Sequence, residues 1–319
     1  MKKFTTLLAA AMLFTGCTTL SGSGSDTAVT LPKAPEGNLR YSITVHKFKN
    51  EAGWSGRWDL GDGFTAIMTD LLNESGYFIV LGDTGMRKAA LAEQDFVSSG
   101  RTAGGKKAPK TGRMTPAQLL VRGSITHVQE TGGGGGRLNY KGVSLGGSGR
   151  QAEVNMTIYL VDSETGQVAA STKVTGKSGK RGLGIGYYGS RLGGLTGNLS
   201  GFQKDNVGKA CQDAVAQGIV FLVNQLEGIP WEGTVILAKG DRIIVNRGTR
   251  EGVRGGTLFN VGEVTELVDP DTGEVLDSEM SIAAKLEVTN VKEKISYCKA
   301  LSGGDKVKKG MTVFEAGSR

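Results

Sequence analysis

The sequence predicts a mixed α+β protein, in which an α/β domain carries two long β-hairpins and is followed by a small all-β domain of SH3-like size. Three observations predict this architecture. Strand-like alternation and helical periodicity follow each other from residue 40 to residue 230. Two glycine-rich stretches, at about 131–155 and 174–202, interrupt that pattern and are nearly free of acidic residues. Short apolar runs separated by tight turns then fill residues 231–319.

The first elements follow from the spacing of apolar residues. Residues 41–48 alternate with period two, which predicts a strand. Between 64 and 72 the apolar residues recur at helical spacing. We expect Asp59 or Asp62 to cap this helix and Gly76 to end it.

Further helices and strands complete the prediction for this domain, with strands also expected at 77–81, 119–128 and 168–174. One helix is expected over 86–96, and Thr115 is expected to cap a short helical turn that begins with Pro116. Residues 151–160 alternate cleanly, so one face of that strand is predicted to be buried. The apolar stripe over 207–226 predicts the last helix.

The pattern changes after Pro230-Trp231 to short strands joined by Gly- and Asp-containing turns. Strands are expected at 234–237, 242–246, 257–261, 263–268, 282–291, 299–301 and 311–314. Strands of this number and length predict a small β-barrel of SH3-like size.

The N-terminus has the layout of a bacterial lipoprotein signal. A charged start precedes a short apolar run that ends at Gly16 and Cys17. We expect residues 1–16 to be removed, Cys17 to be acylated, and residues 17–39 to tether the lipid to the folded domain. Thr18, in the place of an Asp, favours sorting to the outer membrane. The alternative is an ordinary secretory signal in which Cys17 has no special role.

Composition and charge limit the function classes. The net charge of +7 over 319 residues comes without a basic helix interleaved with aromatic residues, so nucleic acid is not an expected partner. His46 and His127 form no metal-ligand cluster, and no cofactor is expected. Cys211 and Cys298 are expected to be small buried apolar residues.

The two glycine-rich stretches fit no ordinary soluble core. In hydrocarbon every backbone polar group must be paired, so β-structure crosses a bilayer only as a closed barrel. Two hairpins supply about four strands, fewer than the smallest membrane barrels contain. Closure therefore needs several copies of the chain, with Tyr140, Tyr187 and Tyr188 at the membrane interface. The alternative is that both stretches are flexible surface loops of a soluble lipoprotein, because glycine weakens strands.

The sequence contains no catalytic constellation, and no enzymatic activity is expected. Gly142–Gly146 has the spacing of a nucleophile elbow, but both histidines precede Ser144 and no helix is expected after it. Gly132–Gly136 is not followed by the Gly-Lys-Ser/Thr of a phosphate-binding loop. Asp269 begins a turn that lacks the remaining ligands of a calcium-binding loop.

Four segments carry a family resemblance: Val45 to Val80 with its two tryptophans, Ala117 to Ser124, Leu160 to Val168, and Ala210 to Asn224. Together with the lipoprotein signal, they resemble the CsgG family (curli production assembly/transport component). The resemblance covers roughly residues 40–226 in the family's order.

The resemblance implies an outer-membrane lipoprotein whose periplasmic α/β domain assembles into a ring, which is nonameric in the curli member. Two hairpins per protomer would then build one large transmembrane barrel, through which unfolded protein diffuses without ATP. In the family, a loop bearing aromatic and Asn residues lines the constriction. The matching loop here, residues 52–62, is shorter and lacks the family's Tyr and Asn-Phe pair. It contains Trp54 and Trp58, which are the predicted constriction residues without a one-to-one correspondence.

The predicted function is that of a channel subunit that exports extracellular, curli-like protein by energy-independent diffusion. The expected partners are copies of the same chain, outer-membrane lipid, the unfolded exported protein and a periplasmic accessory protein. The alternative is a non-pore envelope lipoprotein that forms a periplasmic ring or collar for another assembly. A secreted hydrolase is a further rival, which turnover abolished by Ser144→Ala would support.

Overall fold

The computed structural model describes residues 31–56, 58–103, 105–106, 108–131, 138–140, 143–145, 151–178, 205–240 and 242–316. In 138–140 and 143–145 it describes the backbone alone. The described chain is a mixed α+β fold, as predicted. It consists of a six-stranded sheet with helices and a closed six-stranded barrel.

The sheet and its helices fill the first two thirds of the chain. In chain order the elements are β1 Tyr41–Val45, β2 Lys49–Asn50, α1 Leu60–Ser75, β3 Phe78–Val80, α2 Thr84–Ser98, β4 Leu119–Thr131, β5 Leu138–Tyr140, β6 Val143–Leu145, β7 Gln151–Asp162, β8 Val168–Lys177 and α3 Asn206–Gln225. The barrel strands are β9 Glu232–Lys239, β10 Arg242–Val245, β11 Leu258–Val268, β12 Val275–Val291, β13 Ser296–Ser302 and β14 Thr312–Glu315. Single 3-10 turns lie at Leu226–Gly228, Thr249–Glu251 and Gly304–Lys306.

The central sheet has the strand order β3-β1-β4-β7-β8, with β2 added beside β4. β1 runs parallel to β3 and β4, whereas the β4–β7 and β7–β8 pairs are antiparallel. α1 and α3 pack against each other, and α3 also packs on β7 and β8. The predicted buried face of residues 151–160 is confirmed, and its members are Ala152, Val154, Met156, Ile158 and Leu160.

Helix α1 begins and ends where its sequence predicts. The side chain of Asp59 accepts a hydrogen bond from the Asp62 amide at 2.7 Å, so it caps the helix. Gly76 ends the helix in a left-handed conformation with φ of 75°, which glycine adopts without steric penalty. Both ends are therefore confirmed.

The strand predicted over 41–48 ends early, because Phe48 turns into the core. Its ring lies directly over Gly123, where an added Cβ would be 2.2 Å from a ring carbon. Phe48 also stacks on Phe64 with a centroid separation of 5.8 Å. The chain therefore leaves β1 at Val45 to place this aromatic pair between the sheet and α1.

The barrel joins the sheet at the end where β1 and β4 begin. Just before β1, the Arg40 amide donates to the Glu251 carbonyl at 2.9 Å. Just before β4, the Arg250 guanidinium donates to the Thr115 hydroxyl at 3.3 Å. The helical turn predicted at Thr115 is wrong, because this residue lies in irregular chain and bonds the barrel instead. The carboxyl ends of β1 and β4 consequently face away from the barrel.

The barrel closes in the order β10-β13-β12-β11-β14-β9. In its core Trp231 stacks on Phe259, with ring centroids 5.6 Å apart and planes 11° from parallel. The small all-β domain is thus present, while its SH3-like character stays a prediction.

Two barrel strands are unusually long, since β11 has 11 residues and β12 has 17. Beyond the barrel they continue as a paired arm over residues 263–282, closed by a turn in which Asp269 accepts from the Asp271 amide at 2.8 Å. We call residues 263–282 the acidic arm. A single bulged strand, β11, replaces the two strands predicted at 257–261 and 263–268.

Candidate functional site at the stem end of the sheet

Both glycine-rich stretches start from the end of the sheet that faces away from the barrel. β4 ends at Thr131, which pairs with Gln151 at the start of β7, and the Thr131 hydroxyl donates to the Gln151 carbonyl at 3.1 Å. β8 ends at Lys177, which pairs with Glu153 of β7. Three adjacent strands therefore open side by side into the two stretches. We call these strand ends the stem.

The start of β7 is joined to the end of β8 by two reciprocal hydrogen bonds. The Ser178 amide donates to the Ala152 carbonyl at 2.9 Å. The Ala152 amide donates to the Ser178 hydroxyl at 2.7 Å. The Lys177 ammonium lies 3.4 Å from the Glu153 carboxylate, an exposed pair that adds little stability. Backbone pairing, rather than charge, holds the stem together.

Helix α3 holds the other side of β8 through a buried carboxylate. Asp213 is only 6% exposed and accepts hydrogen bonds from the Lys177 amide at 3.0 Å and from the Gln217 side chain at 3.1 Å. Gln217 also donates to the Thr175 carbonyl at 2.8 Å. Since β8 is an edge strand, these side chains take the place of a neighbouring strand.

Close packing of α3 on β8 depends on one glycine. A Cβ added at Gly176 would lie 1.9 Å from the Ala210 carbonyl oxygen and 2.6 Å from the Ala214 amide nitrogen. Both atoms belong to the backbone of α3, so they cannot move aside as a side chain could. Gly176 therefore lets the helix and the strand approach each other at the stem.

The loop that carries the two tryptophans lies at the same end of the sheet. It follows Asn50, which pairs with Ile125 midway along β4, and the Glu51 amide donates to the Ile125 carbonyl at 2.9 Å. The rings of Trp54 and Trp58 are in contact, with centroids 4.8 Å apart and planes tilted by 48°. The structure thus brings the two predicted constriction residues into contact, in a loop that leaves the sheet midway along β4.

The position of Trp54 is fixed by its own loop. Its carbonyl accepts a hydrogen bond from the Asn50 side chain at 2.7 Å. Its ring lies over Gly56, where a Cβ would be 1.9 Å from a ring carbon. Trp54 and Trp58 are both half-buried against the hydrophobic core. The role of this pair as a constriction stays a prediction.

Ion pairs connect Lys47, before the loop, to two acidic residues at the start of α1. The Lys47 ammonium lies 2.8 Å from Asp62 and 3.4 Å from Asp59. Its hydrogen bond to Asp62 raises the pKa of Lys47 above the ordinary value, although desolvation opposes this. These side chains are well exposed, so they orient the loop more than they stabilise the fold.

The sequence decides the family to which this molecule belongs. A family model described as curli production assembly/transport component CsgG matches residues 25–235, about two thirds of the chain. This chain belongs to the CsgG family. The match ends within β9, so most of the barrel of this CsgG-family protein lies beyond it.

Several solved structures are similar to part of this CsgG-family protein. The PelC dodecamer from Paraburkholderia phytofirmans is 14% identical, with a TM-score of 0.26 and coverage of 59% of this chain and 89% of that one. The hypothetical protein CT253 from Chlamydia trachomatis is 15% identical, with a TM-score of 0.33 and coverage of 58% and 96%. Lipoprotein GNA1162 from Neisseria meningitidis is 16% identical, with a TM-score of 0.25 and coverage of 59% and 99%. No curated protein gives a significant match.

Of the remaining predicted site residues, the structure describes only the backbone of Tyr140. Cys17, Tyr187 and Tyr188 lie beyond the described residues, as do 179–202 of the second predicted hairpin. Tyr140 is described by its backbone, which ends β5 and pairs with Val143 of β6. Their roles in this CsgG-family protein stay predictions.

The sequence prediction missed the fastening of the stem, formed by Asp213, Gln217 and Gly176. An acid within a helix of small apolar residues was the available signal, but its partner could not be read from spacing. Within the described ranges no group of three or more His, Cys, Asp or Glu side chains is placed to hold a metal ion. No helix among the described residues is long and apolar enough to cross a membrane.

Proposed function

We propose that this protein is a subunit of an oligomeric outer-membrane channel that exports extracellular, curli-like protein by energy-independent diffusion. The observation that carries the proposal is the stem, where three adjacent strands open together into two glycine-rich stretches. Membership of a family described as a curli production assembly/transport component supports it. No catalytic step is part of this function.

The number of strands requires several copies of the chain. Each copy supplies about four strands to a membrane barrel, too few to close alone. In this proposal the copies form a ring, and each adds its two hairpins to one wall. The stem end faces the bilayer and the six-stranded barrel points into the periplasm. Acyl chains on Cys17 hold each copy at the outer membrane. The tether is shorter than the predicted 17–39, because Leu31 and Leu39 are buried in the core and the Ala34 amide donates to the Ser75 carbonyl at 2.7 Å.

The tryptophan pair would narrow the entrance of the channel. Because the loop with Trp54 and Trp58 follows the carboxyl ends of β1 and β2, which point toward the stem, a ring of copies would place one pair per copy around the axis. Large rings present apolar surface at low cost in side-chain entropy, which suits contact with an unfolded chain of variable sequence.

Planar bilayers test this function. The full-length lipidated chain, extracted in detergent, should give ring-shaped class averages and a steady ion conductance. Replacement of 132–150 and 179–202 by short Gly-Ser turns should abolish the conductance and leave the thermal unfolding of the α/β domain in place. Trp54→Ala with Trp58→Ala should increase the single-channel conductance, whereas the exposed Tyr159→Ala should not. Solitary particles without conductance would contradict the channel.

A second candidate function is a periplasmic ring or collar that does not pierce the membrane. The observation that favours it is the barrel with its acidic arm, which lies beyond the family match and at the end away from the stem. Such a collar should form rings in detergent, yet conduct no ions either with or without residues 132–150.

A further inference from the structure

All charged residues of the acidic arm are acidic, whereas the rest of the chain has a net positive charge. Residues 263–282 contain seven acidic residues and no lysine or arginine, while the whole chain has a net charge of +7. The acids are Glu263, Glu266, Asp269, Asp271, Glu274, Asp277 and Glu279. This composition favours a basic partner over an anionic membrane surface.

The arm also presents an uncovered apolar row. Val264 pairs directly with Met280, and Val268 with Val275, so these side chains share one face of the two-stranded arm with Ile282. Met280 is 39% exposed and Ile282 is 52% exposed. The Glu266–Ser278 pair lies on the same face between the two apolar pairs, so the row combines apolar side chains with an acidic one. Exposed apolar surface of this kind is typical of a docking surface.

A second uncovered surface is formed by α2. None of its residues is buried in the part of the chain that the structure describes. Met86 and Phe96 are about 80° apart around the helix axis, so they form one apolar side. Of the fourteen large hydrophobic side chains exposed in the described chain, nine lie on α2 or on the acidic arm.

The chain after α2 complements the arm in charge. Residues 99–115, which we call the basic loop, contain five lysine or arginine residues and no acid. They are Arg101, Lys106, Lys107, Lys110 and Arg113. One surface of this protein is thus apolar and acidic, and the other is apolar and basic.

These two surfaces lie toward opposite edges of the central sheet. α2 follows β3, which is one edge strand, and the hydroxyl of Thr84 in its first turn lies 3.0 Å from His46 Nδ1. At the other side, the Gln167 side chain donates to Glu274 of the arm at 3.2 Å, in the turn that leads into the opposite edge strand β8. Head-to-tail association of copies brings such surfaces together and closes into a ring.

We propose that the acidic arm of one copy docks on α2 and the basic loop of the neighbouring copy. The apolar row of the arm covers Met86 and Phe96, and the arm's carboxylates face the lysine and arginine side chains of the basic loop. This contact rests on the proposed function in one respect, that copies of the chain assemble. It does not require the assembly to form a pore.

Cysteine cross-linking between two tagged copies tests the contact. Full-length Met280→Cys and Phe96→Cys chains are co-expressed with different tags, extracted in detergent and treated with a short bismaleimide. Cross-linked dimers should contain both tags and should be lost when either substituted cysteine is absent. Cys211 and Cys298 are buried, so they add little background. Leu258→Cys, at the other end of β11, and Leu91→Cys, on the other side of α2, are matched controls that should not cross-link.

Charge reversal provides an independent test by mass photometry of the detergent-extracted chain. The triple change of Glu266, Asp277 and Glu279 to Lys should reduce the assembled fraction at least tenfold at low salt. The triple change of Lys106, Lys110 and Arg113 to Glu should do the same, and a chain with both changes should assemble again. Lys308→Glu with Lys309→Glu is the control and should leave assembly unchanged.

The outcomes separate this inference from the channel. Rings that assemble and conduct ions without the mixed-tag product would overturn the arm contact and leave the channel intact. The mixed-tag product in rings that do not conduct would support the contact and overturn the channel. Cross-linking by Met280→Cys alone, which indicates arm-to-arm pairing, would overturn the contact. Rings that stay intact after charge reversal of the arm, but lose binding to anionic vesicles or to another protein, would also overturn the contact.

Discussion

Helices α3 and α2 belong to the same domain, yet one is enclosed and the other is not. α3 has 20 residues, of which eleven are buried. α2 has 15 residues, and the described chain buries none of them. Small residues account for the difference, because Gly176 and Gly218 let α3 approach the sheet closely enough to exclude water.

The comparison indicates that the two helices have different tasks. The apolar residues of α3 form one continuous stripe toward the sheet, which stabilises the monomer. In α2, Leu91 lies on a different side from Met86 and Phe96, so the helix has no single stripe for its own sheet. An uncovered helix of this kind is better suited to contact a neighbouring molecule.

The largest expected effect is at the tight contact of α3. Gly176→Val places branched carbon atoms against the α3 backbone, so the helix must move away from β8. We expect a loss of about 3 kcal/mol or more in the free energy of unfolding, measured by urea denaturation. Gly105→Val, at a position with open space around its Cβ, is the control and should change little. Equal stability of the two variants would contradict the close packing of α3 on β8.

The next effect concerns the buried carboxylate of α3. Asp213→Ala leaves the Lys177 amide and the Gln217 side chain without their acceptor, which costs about 1–3 kcal/mol. Hydrogen exchange of the Lys177 amide should accelerate, because the end of β8 loses its attachment. Asp95→Ala, on exposed α2, should leave that exchange rate unchanged. An unaltered rate in Asp213→Ala would contradict the proposed fastening of the stem.

The third effect on stability is expected at the junction between the sheet and the barrel, and it is intermediate in size. The Tyr41 hydroxyl donates to the Ile229 carbonyl at 2.8 Å, and Tyr41→Phe should reduce stability by about 1 kcal/mol at pH 8. Burial, assisted by the negative charge of Glu315, raises the pKa of Tyr41 to about 12 from 10.0. A raised folded pKa means that this contribution is complete below pH 10 and is lost as the pH rises through 12.

The pH dependence of the melting temperature checks this assignment. Between pH 9 and pH 12 the melting temperature of the parent chain should fall more steeply than that of Tyr41→Phe. Tyr159→Phe, in an exposed position on β7, is the control and should follow the parent chain. Parallel curves for all three would mean that Tyr41 ionises as readily in the folded state as in the unfolded one.

The smallest expected effect is on α2. Leu91→Ser and Phe96→Ser should each change the free energy of unfolding of the single chain by less than about 0.5 kcal/mol, because both side chains are exposed. Urea denaturation at a protein concentration low enough to keep copies apart measures this change in the free energy of unfolding. A loss of about 2 kcal/mol in either variant would show that α2 packs within its own chain.

Local signals predicted the elements whose structure depends on local contacts. Asp59 and Gly76 bound α1 because a cap and a left-handed glycine act within one turn. The buried face of β7 follows from strict alternation. Cys211 and Cys298 are buried, as predicted from the behaviour of free cysteine as a small apolar residue.

Features that depend on distant partners were not predicted. Thr115 bonds Arg250, which is 135 positions away, so its local cap signal was misleading. The sequence predicts separate strands in place of the continuous acidic arm, because Asp277 and Glu279 break the apolar alternation of β12. Asp213 has an ordinary position in its helix, and its backbone partner at Lys177 is set by the packing of α3 on the sheet.

The fastened stem has a mechanical consequence. Traction along the strand axis enters β4, β7 and β8 together, so the three strands are loaded as one unit and the hydrogen bonds between them do not peel apart one after another. Through Asp213 part of the tension passes into α3, of whose 20 residues eleven are buried. A chain dragged past the stem would therefore strain the sheet as a whole before any single strand came loose.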